Sequence, residues 1–141
     1  LKQYGVPTGV LEVEVTEEAF LRDPDRAGQF LKRLHGMGVK IAIDDFGSGY
    51  SSLAHLKALE VDRLKIDRSF IAGMPNSPRD AALTRAAAAL GRSLDMEVIA
   101  EGVETEAQAE SLRLEDVDEA QGFLFGAAQP PAALGGLLGG G

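Results

Sequence analysis

The feature that most constrains the fold is a regular alternation of strand-like and helix-like segments along the chain. Residues 10–16, VLEVEVT, alternate apolar side chains with acidic or polar ones, which predicts a strand with one apolar face. The predicted strands are 10–16, 39–46, 61–70, 97–104 and 119–126, and the predicted helices between them are about 25–36, 51–60, 78–94 and 105–114. The order β-α-β-α-β-α-β-α-β indicates an α/β fold with a parallel sheet, outer helices and right-handed crossovers.

Polar residues gather near the C-terminal ends of these strands. They are Glu14, Glu17, Asp44, Asp45, Lys65, Asp67, Glu101 and, in the fifth strand, Gln121. This placement is typical of the active-site end of a (β/α)8 barrel, whereas no GxGxxG motif opens a helix as it does in a dinucleotide-binding doubly wound fold. We therefore predict a partial barrel of about five parallel strands.

The alternation within the strands also predicts which side chains face the barrel interior. If the apolar face of the first strand contacts the helices, Glu12 and Glu14 face inward. By the same alternation Lys65 and Asp67 of the third strand face inward as well. Interior carboxylates are costly unless they are paired or bind metal, so the sequence requires cations in the interior.

Composition excludes several classes of function. The net charge is −8 and no basic run exists, which argues against DNA or other general nucleic-acid binding, although metals could attract a small phosphorylated ligand. No apolar run of 18 residues or more occurs, so we expect no membrane span and no membrane contact by this segment. The absence of cysteine excludes disulfides and thiolate metal sites, and it fits a cytoplasmic location.

Five segments of the chain occur together and in an order that is informative. They are EVTE (14–17), DDFGSGYSSL (44–53), LKIDRSF (64–70), VIAEGVET (98–105) and QGFLFG (121–126). In this combination the chain resembles the EAL-domain cyclic-di-GMP phosphodiesterases over about residues 10–131. The resemblance implies a modified TIM barrel that hydrolyses one phosphodiester of cyclic di-GMP to linear pGpG with two divalent metals, Mg²⁺ or Mn²⁺. It also implies that residues 1–131 are the C-terminal portion of an EAL domain and that residues 132–141 are a Gly/Leu-rich tail.

The resemblance implies metal-binding roles for the acidic residues. Glu14 and Asp44 would be metal ligands, Asp45 would bind the second metal, and Glu101 would bind metal or act as a base. The chemistry is consistent with this, because hard divalent cations prefer carboxylate oxygens, and a metal pair can activate water and neutralise charge on a phosphodiester. The Gly47-Ser48-Gly49 turn would let the following loop wrap around the site.

The remaining polar residues would support the reaction. By the same resemblance, Lys65 would lie beside the attacking water and phosphate, and Gln121 near the metal and its water. Glu17 would brace the loop that follows the DD strand. Asp67 has two interpretations that the sequence leaves open: it supports the ligands from behind, or it forms a salt bridge with Lys65 or Arg68.

Taken singly, these residues have ordinary structural explanations. Asp44-Asp45 before a glycine turn is commonly a solvated loop, Glu17 could be a charge at a helix N-terminus, and Glu101 before Gly102 could be part of a turn. Their joint placement at successive strand ends is what favours a functional site. His35 and His55 lie at no useful spacing, and we interpret both as structural.

Two departures from the family pattern affect the expected activity. A (β/α)8 barrel takes about 250 residues, and the strand bearing the EAL signature, with its glutamate and the following asparagine ligand, is expected upstream of this sequence. We therefore expect the 141-residue piece to be inactive alone. The segment LRLEDVDEAQGF also lacks the usual Leu-Gly-Cys/Ala-Asp turn, and its extra acids Glu115, Asp116 and Glu119 could misplace Gln121.

Three hypotheses follow from these observations. The chain is part of an active cyclic-di-GMP phosphodiesterase, or a degenerate module that binds cyclic di-GMP or a protein without hydrolysis, or a half-barrel that pairs its open edges in a homodimer. Family members often carry sensor, receiver or GGDEF domains in the same chain, so a regulatory domain is expected in the parent protein.

Overall fold

The computed structural model describes residue 3, residues 5–47 and residues 60–130. Within this part of the chain, parallel strands pair in sequence order to form one sheet. The strands are β1 (Glu12–Thr16), β2 (Lys40–Phe46), β3 (Arg63–Ile66), β4 (Glu97–Ala100) and β5 (Glu119–Ala120), and the helices are α1 (Glu17–Arg22), α2 (Pro24–His35), α3 (Arg68–Ala72), α4 (Pro78–Ser93) and α5 (Glu106–Leu114). The predicted α/β class with parallel strands is confirmed. The predicted helix over 51–60 falls, as far as residue 59, outside the described residues.

The longer helices begin where capping residues predict. Asp23 accepts a hydrogen bond from the backbone N–H of Arg26 and places Pro24 in the first turn of α2, and Ser77 accepts one from the backbone of Asp80 ahead of α4. Thr105 and Gln108 form both hydrogen bonds of a capping box at the start of α5. The predicted starts of these helices are therefore confirmed to within a residue.

Three strands are shorter than the apolar patterns predicted. The prediction of a strand over 61–70 was wrong beyond Ile66, because Asp67 accepts a hydrogen bond from the backbone N–H of Ser69 and starts α3. The strand predicted over 97–104 ends at Ala100, and the chain then turns at Gly102 with φ 72°. The strand predicted over 119–126 has only two residues, and a turn follows it. Local capping and turn chemistry therefore outweighs apolar composition at these three ends.

One face of the sheet is apolar and packs against the helices. Ile41, Ile43, Leu64, Ile66 and Val98 are at most 1% exposed and form the centre of the core. Helical side chains complete it, among them Leu31, Ala87 and Leu112. The strand alternation sends polar side chains to the opposite face, as the sequence predicted. No helix in the described residues has the length and hydropathy that a membrane span needs.

Candidate functional site

Two consecutive aspartates reach the same end of the sheet because β2 is irregular there. Ile43 pairs with Leu64 and Phe46 pairs with Ile66, so Asp44 and Asp45 both lie opposite a single residue of β3. Asp45 has φ 56°, in the left-handed region, and its backbone N–H donates to the Asp44 carboxylate at 2.9 Å. A regular strand would direct the two side chains to opposite faces, and a bulge of this kind redirects one of them.

Lys65 lies at the centre of the acidic residues. Its Nζ is 2.6 Å from Glu14 Oε1 and 2.5 Å from Glu101 Oε1, and a longer contact of 3.9 Å reaches Asp44 Oδ1. The Lys65 side chain is only 5% exposed. Burial alone would lower the pKa of Lys65, but the hydrogen bonds with Glu101 and Glu14 outweigh it and raise the pKa above its ordinary value. Lys65 is therefore a buried ammonium whose charge is stabilised by two carboxylates.

Three carboxylates lie close enough to share a cation. Asp44, Asp45 and Glu101 each offer one oxygen, and these oxygens lie within 4.8 Å of one another. Burial raises the pKa of Asp45, and the neighbouring charges of Asp44 and Asp67 raise it further. Burial also raises the pKa of Glu101, despite its hydrogen bond with Lys65. These carboxylates are partly exposed, and the charge of one makes the charge of its neighbour less favourable. They offer the oxygen donors that Mg²⁺ or Mn²⁺ requires.

Glu14 occupies a different place from the other predicted ligands. It is not part of the three-residue oxygen group, and it contacts that group through Lys65, which hydrogen-bonds to both Glu14 and Glu101. The Glu14 side chain is 47% exposed, so water reaches it in this arrangement. Its role as a metal ligand stays a prediction.

Gln121 reaches the site in spite of the unusual segment before it. Its Nε2 donates to Glu101 Oε1 at 2.8 Å. Of the extra acids, Glu115 forms a two-point ion pair with Arg85 at 2.6 and 2.8 Å, and Asp116 takes the left-handed turn position with φ 56°. The possibility that these acids displace Gln121 from Glu101 is not realised: Glu115 pairs with Arg85, Asp116 lies in the turn, and Glu119 contacts Arg63.

Asp67 contacts the acidic group through Asp45. Its carboxylate shares a hydrogen bond with the Asp45 side chain and caps α3 at Ser69. Burial opposes the charge of Asp67, yet the hydrogen bonds from the Ser69 side chain and backbone lower its pKa. Among the described residues no ion pair within 4 Å joins Asp67 to Lys65 or Arg68, but the charge of Arg68 also lowers the pKa of Asp67, so both interpretations stay predictions. Glu17 begins α1. Its side chain is not among the parts of the chain that the structure describes, so its loop-bracing role stays a prediction.

A second inward-facing cation lies one layer below Lys65, and sequence reasoning missed it. Arg63 Nε is 2.7 Å from Glu97 Oε2, and its terminal nitrogens are 3.3 Å from Glu12 Oε2 and 3.4 Å from Glu119 Oε1. Arg63 precedes Lys65 by two residues and shares its face, a signal that was available in the sequence. In these two layers, therefore, Arg63 and Lys65 of the chain itself supply the cations that the acidic residues of the interior require.

Comparison with known proteins identifies the family. The protein-family model for the EAL domain matches residues 1–129 of this chain. The chain is 46% identical over 134 residues to the cyclic di-GMP phosphodiesterase NbdA of Pseudomonas aeruginosa, covering 95% of this chain and 17% of NbdA. It is equally identical over the same length to the bifunctional diguanylate cyclase/cyclic di-GMP phosphodiesterase MucR of that organism, and it covers 20% of MucR. The chain thus spans about a fifth of the length of these relatives.

Solved structures agree with the sequence comparison. A structure of the PaMucR phosphodiesterase with c-di-GMP superposes with a TM-score of 0.91 at 46% identity, covering 95% of this chain and 54% of that one. A manganese/c-di-GMP complex of Klebsiella pneumoniae BlrP1 gives a TM-score of 0.82 at 33% identity, covering 88% and 32%. EAL domains are TIM-barrel-like, so the parallel sheet described above is part of such a barrel. The chain belongs to the EAL domain family.

Proposed function

We propose that this chain provides catalytic residues for hydrolysis of one phosphodiester bond of cyclic di-GMP, giving linear pGpG. One observation carries the proposal: Asp44, Asp45 and Glu101 converge beside the buried ammonium of Lys65. Carboxylates that could hold cations, next to a fixed positive charge, suit an anionic phosphodiester substrate. The relatives NbdA and MucR, which carry the name cyclic di-GMP phosphodiesterase, support the choice of substrate.

Asp44, Asp45 and Glu101 would hold divalent metal through carboxylate oxygens, and we propose that Glu14 joins them. Two bound Mg²⁺ or Mn²⁺ ions would supply Lewis-acid activation of water and neutralise charge on the phosphoryl oxygens. The donor set fits such ions because every member is a carboxylate. The BlrP1 complexes with c-di-GMP contain manganese in one case and calcium in another, which is consistent with oxygen-rich EAL sites.

The chain's own residues would then bind, orient and transfer protons. Lys65 presents a fixed positive charge beside the phosphate, held by Glu14 and Glu101 so that it needs no reorganisation. Glu101 would receive the proton of the attacking water on its second carboxylate oxygen, because Oε1 already accepts hydrogen bonds from Lys65 and Gln121. The Gln121 amide orients the Glu101 carboxylate through its bond to Oε1.

Supporting roles and context complete the proposal. Asp67 would orient Asp45 by lying against its side chain, and Glu17 would brace the loop after β2. Residues 1–131 would be the C-terminal portion of the EAL domain and 132–141 a tail. We place the site in the cytoplasm, either in a cytoplasmic protein or in the cytoplasmic portion of a membrane-anchored parent. We also propose a regulatory or GGDEF domain in the parent protein, because MucR is named as a bifunctional cyclase and phosphodiesterase.

A second candidate is binding of cyclic di-GMP without hydrolysis. The observation that favours it is the neutralisation of Glu14 and Glu101 by Lys65, which compensates part of the acidic charge without any metal. Such a site could hold the nucleotide while lacking the full ligand set for turnover. The two candidates differ in one measurable outcome. Hydrolysis releases pGpG when divalent metal is present, whereas binding alone releases no pGpG.

The test is turnover by the intact protein that contains this chain. Cyclic di-GMP is incubated with Mg²⁺ or Mn²⁺, and pGpG is measured by chromatography. We expect Asp44→Ala to lower the rate by at least about a hundredfold, since it removes a charged group from the reaction centre. Asp25→Ala, at an exposed acid in the first turn of α2, is the matched control and should retain the parental rate. Equal rates in both variants would refute the proposed site.

A further inference from the structure

Two aspartates attach the starts of two strands to their neighbours in the same way. Asp62 Oδ2 accepts a hydrogen bond from the backbone N–H of Ile41 at 2.8 Å, and the Asp62 N–H donates to the Ile41 carbonyl at 2.9 Å. Asp118 Oδ2 accepts from the N–H of Val98 at 2.8 Å, and its own N–H donates to the Val98 carbonyl at 3.1 Å. Each aspartate therefore binds both backbone groups of one residue in the preceding strand. We call this arrangement the aspartate clasp.

Each clasp lies three residues before a residue of the candidate site. Lys65 follows Asp62 in the segment DRLK, and Gln121 follows Asp118 in the segment DEAQ. A slip of one residue in strand pairing would turn every following side chain to the other face of the sheet. A two-point attachment at the start of the strand opposes such a slip, so it determines which side chain reaches the site.

The two clasps differ in how much they contribute to strand register. β3 is also held by a four-residue ladder with β4, and His35 contacts the Asp62 carboxylate at 3.5 Å. β5 has only two residue pairs, both with β4, among the described residues. A strand this short has little pairing of its own to define its register, so the clasp at Asp118 matters more than the clasp at Asp62.

The clasp at Asp118 continues directly into the contacts of Gln121. The Gln121 N–H donates to the Ala100 carbonyl at 2.9 Å, and its own carbonyl accepts from the Val103 N–H at 3.0 Å. The side-chain amide then reaches Glu101 at 2.8 Å. Asp118 immediately precedes β5. Among the described residues from Asp118 to Ala120, it alone has a side chain that hydrogen-bonds to the β4 backbone.

We propose that Asp118 is a positioning residue that fixes the register of β5 and thereby holds the Gln121 amide against Glu101. Its effect on turnover rests on the proposed phosphodiesterase function, whereas its effect on register does not. Asp118 touches neither the substrate nor the reacting atoms in this proposal, and it acts through Gln121 alone.

Turnover of cyclic di-GMP by the intact protein tests the catalytic part. Asp118→Ala should lower kcat by about tenfold to a hundredfold, the scale expected when a group near the reaction is displaced. Asp118→Asn retains an acceptor oxygen for the Val98 N–H and should restore most of the rate. If Asp118 acts through Gln121, Asp118→Ala should cost nothing further in a Gln121→Ala background. Additive losses in the double variant, or no recovery with asparagine, would overturn the proposal.

Amide hydrogen exchange tests the register without requiring turnover. In Asp118→Ala, the amides of Val98 and Gln121 should exchange at least about tenfold faster, while the Leu64 amide in β3 keeps its protection. Asp62→Ala is the comparison variant, and it should leave the Gln121 amide protected. Unchanged protection of Val98 and Gln121 in Asp118→Ala would overturn the proposal even in an active enzyme. Faster exchange in a protein that lacks phosphodiesterase activity would support the clasp and refute the proposed function separately.

Discussion

Replacing Lys65 by methionine is the perturbation that most directly tests the electrostatic organisation of the site. Methionine preserves most of the apolar stem and removes the ammonium that pairs with Glu14 and Glu101. Glu14 is half exposed and regains water, whereas the side chains of Glu101 and Asp44 are only 19% and 21% exposed and remain near each other. The variant therefore leaves two poorly hydrated carboxylates without their cation.

The size of the effect follows from the geometry. At about 2.5 Å and an effective dielectric constant of about 20, each of the two short contacts of the ammonium, with Glu14 and with Glu101, is worth roughly 6.5 kcal/mol of Coulomb attraction. Desolvation of the buried ammonium offsets most of this. Removing one partner of a buried pair typically costs about 3–5 kcal/mol, and the exposure of Glu14 places Lys65→Met near about 3 kcal/mol.

Urea unfolding of the intact EAL domain that contains this chain, at pH 7 and followed by circular dichroism, measures the cost. Lys40→Met removes an exposed lysine at the start of β2 and is the matched control, with an expected change within about 0.5 kcal/mol. Adding Glu101→Gln to Lys65→Met should recover part of the loss, because it removes one uncompensated charge. A loss in Lys65→Met no larger than in Lys40→Met, with no recovery in the double variant, would refute this account of the site.

The remaining predictions concern stability away from the reaction centre. Gly91→Ala should lower the free energy of unfolding by about 1–3 kcal/mol in urea, because the added methyl group would overlap Val98 Cγ2 in the core. An unchanged unfolding midpoint would show that α4 can move away from the sheet at no cost. Hydrogen bonding to Arg85 lowers the pKa of Glu115, so the stabilisation from that group is present above its unfolded pKa and is lost as pH falls through the lower folded value. Glu115→Gln should therefore be less stable than the parent at pH 7 and should converge with it in strongly acidic solution, and a stability gap that persists there would contradict this origin of the pKa shift.

The polar strand ends were predictable because strand alternation fixes which side chains share a face. Glu14 and Lys65 follow this rule, and the structure brings their charged groups into contact. Asp44 and Asp45 do not follow it, since a regular strand would separate them. Their meeting depends on a bulge and on the left-handed conformation of Asp45, which are set by pairing with β3 and cannot be deduced from the pattern of β2 alone.

The misses have two physical origins: a local side-chain to backbone hydrogen bond, and side-chain contacts between strands that are far apart in sequence. Asp67 ends β3 by capping α3, so the segment VDRLKIDRSF, predicted as one ten-residue strand, is a strand followed by a helix. The contacts of Arg63 with Glu12, Glu97 and Glu119 join strands far apart in sequence. Such contacts depend on the strand order of the sheet, which local patterns do not encode.

With bound divalent metal, these carboxylates would make the intact protein a cyclic-di-GMP phosphodiesterase. Chromatographic detection of pGpG from cyclic di-GMP, with Mn²⁺ or Mg²⁺ present and again after chelation with EDTA, tests this directly. We expect pGpG with the metal and none after chelation, with activity restored when metal is added back. A folded protein that binds cyclic di-GMP and releases no pGpG under any of these conditions would contradict this expectation and identify a binding module instead.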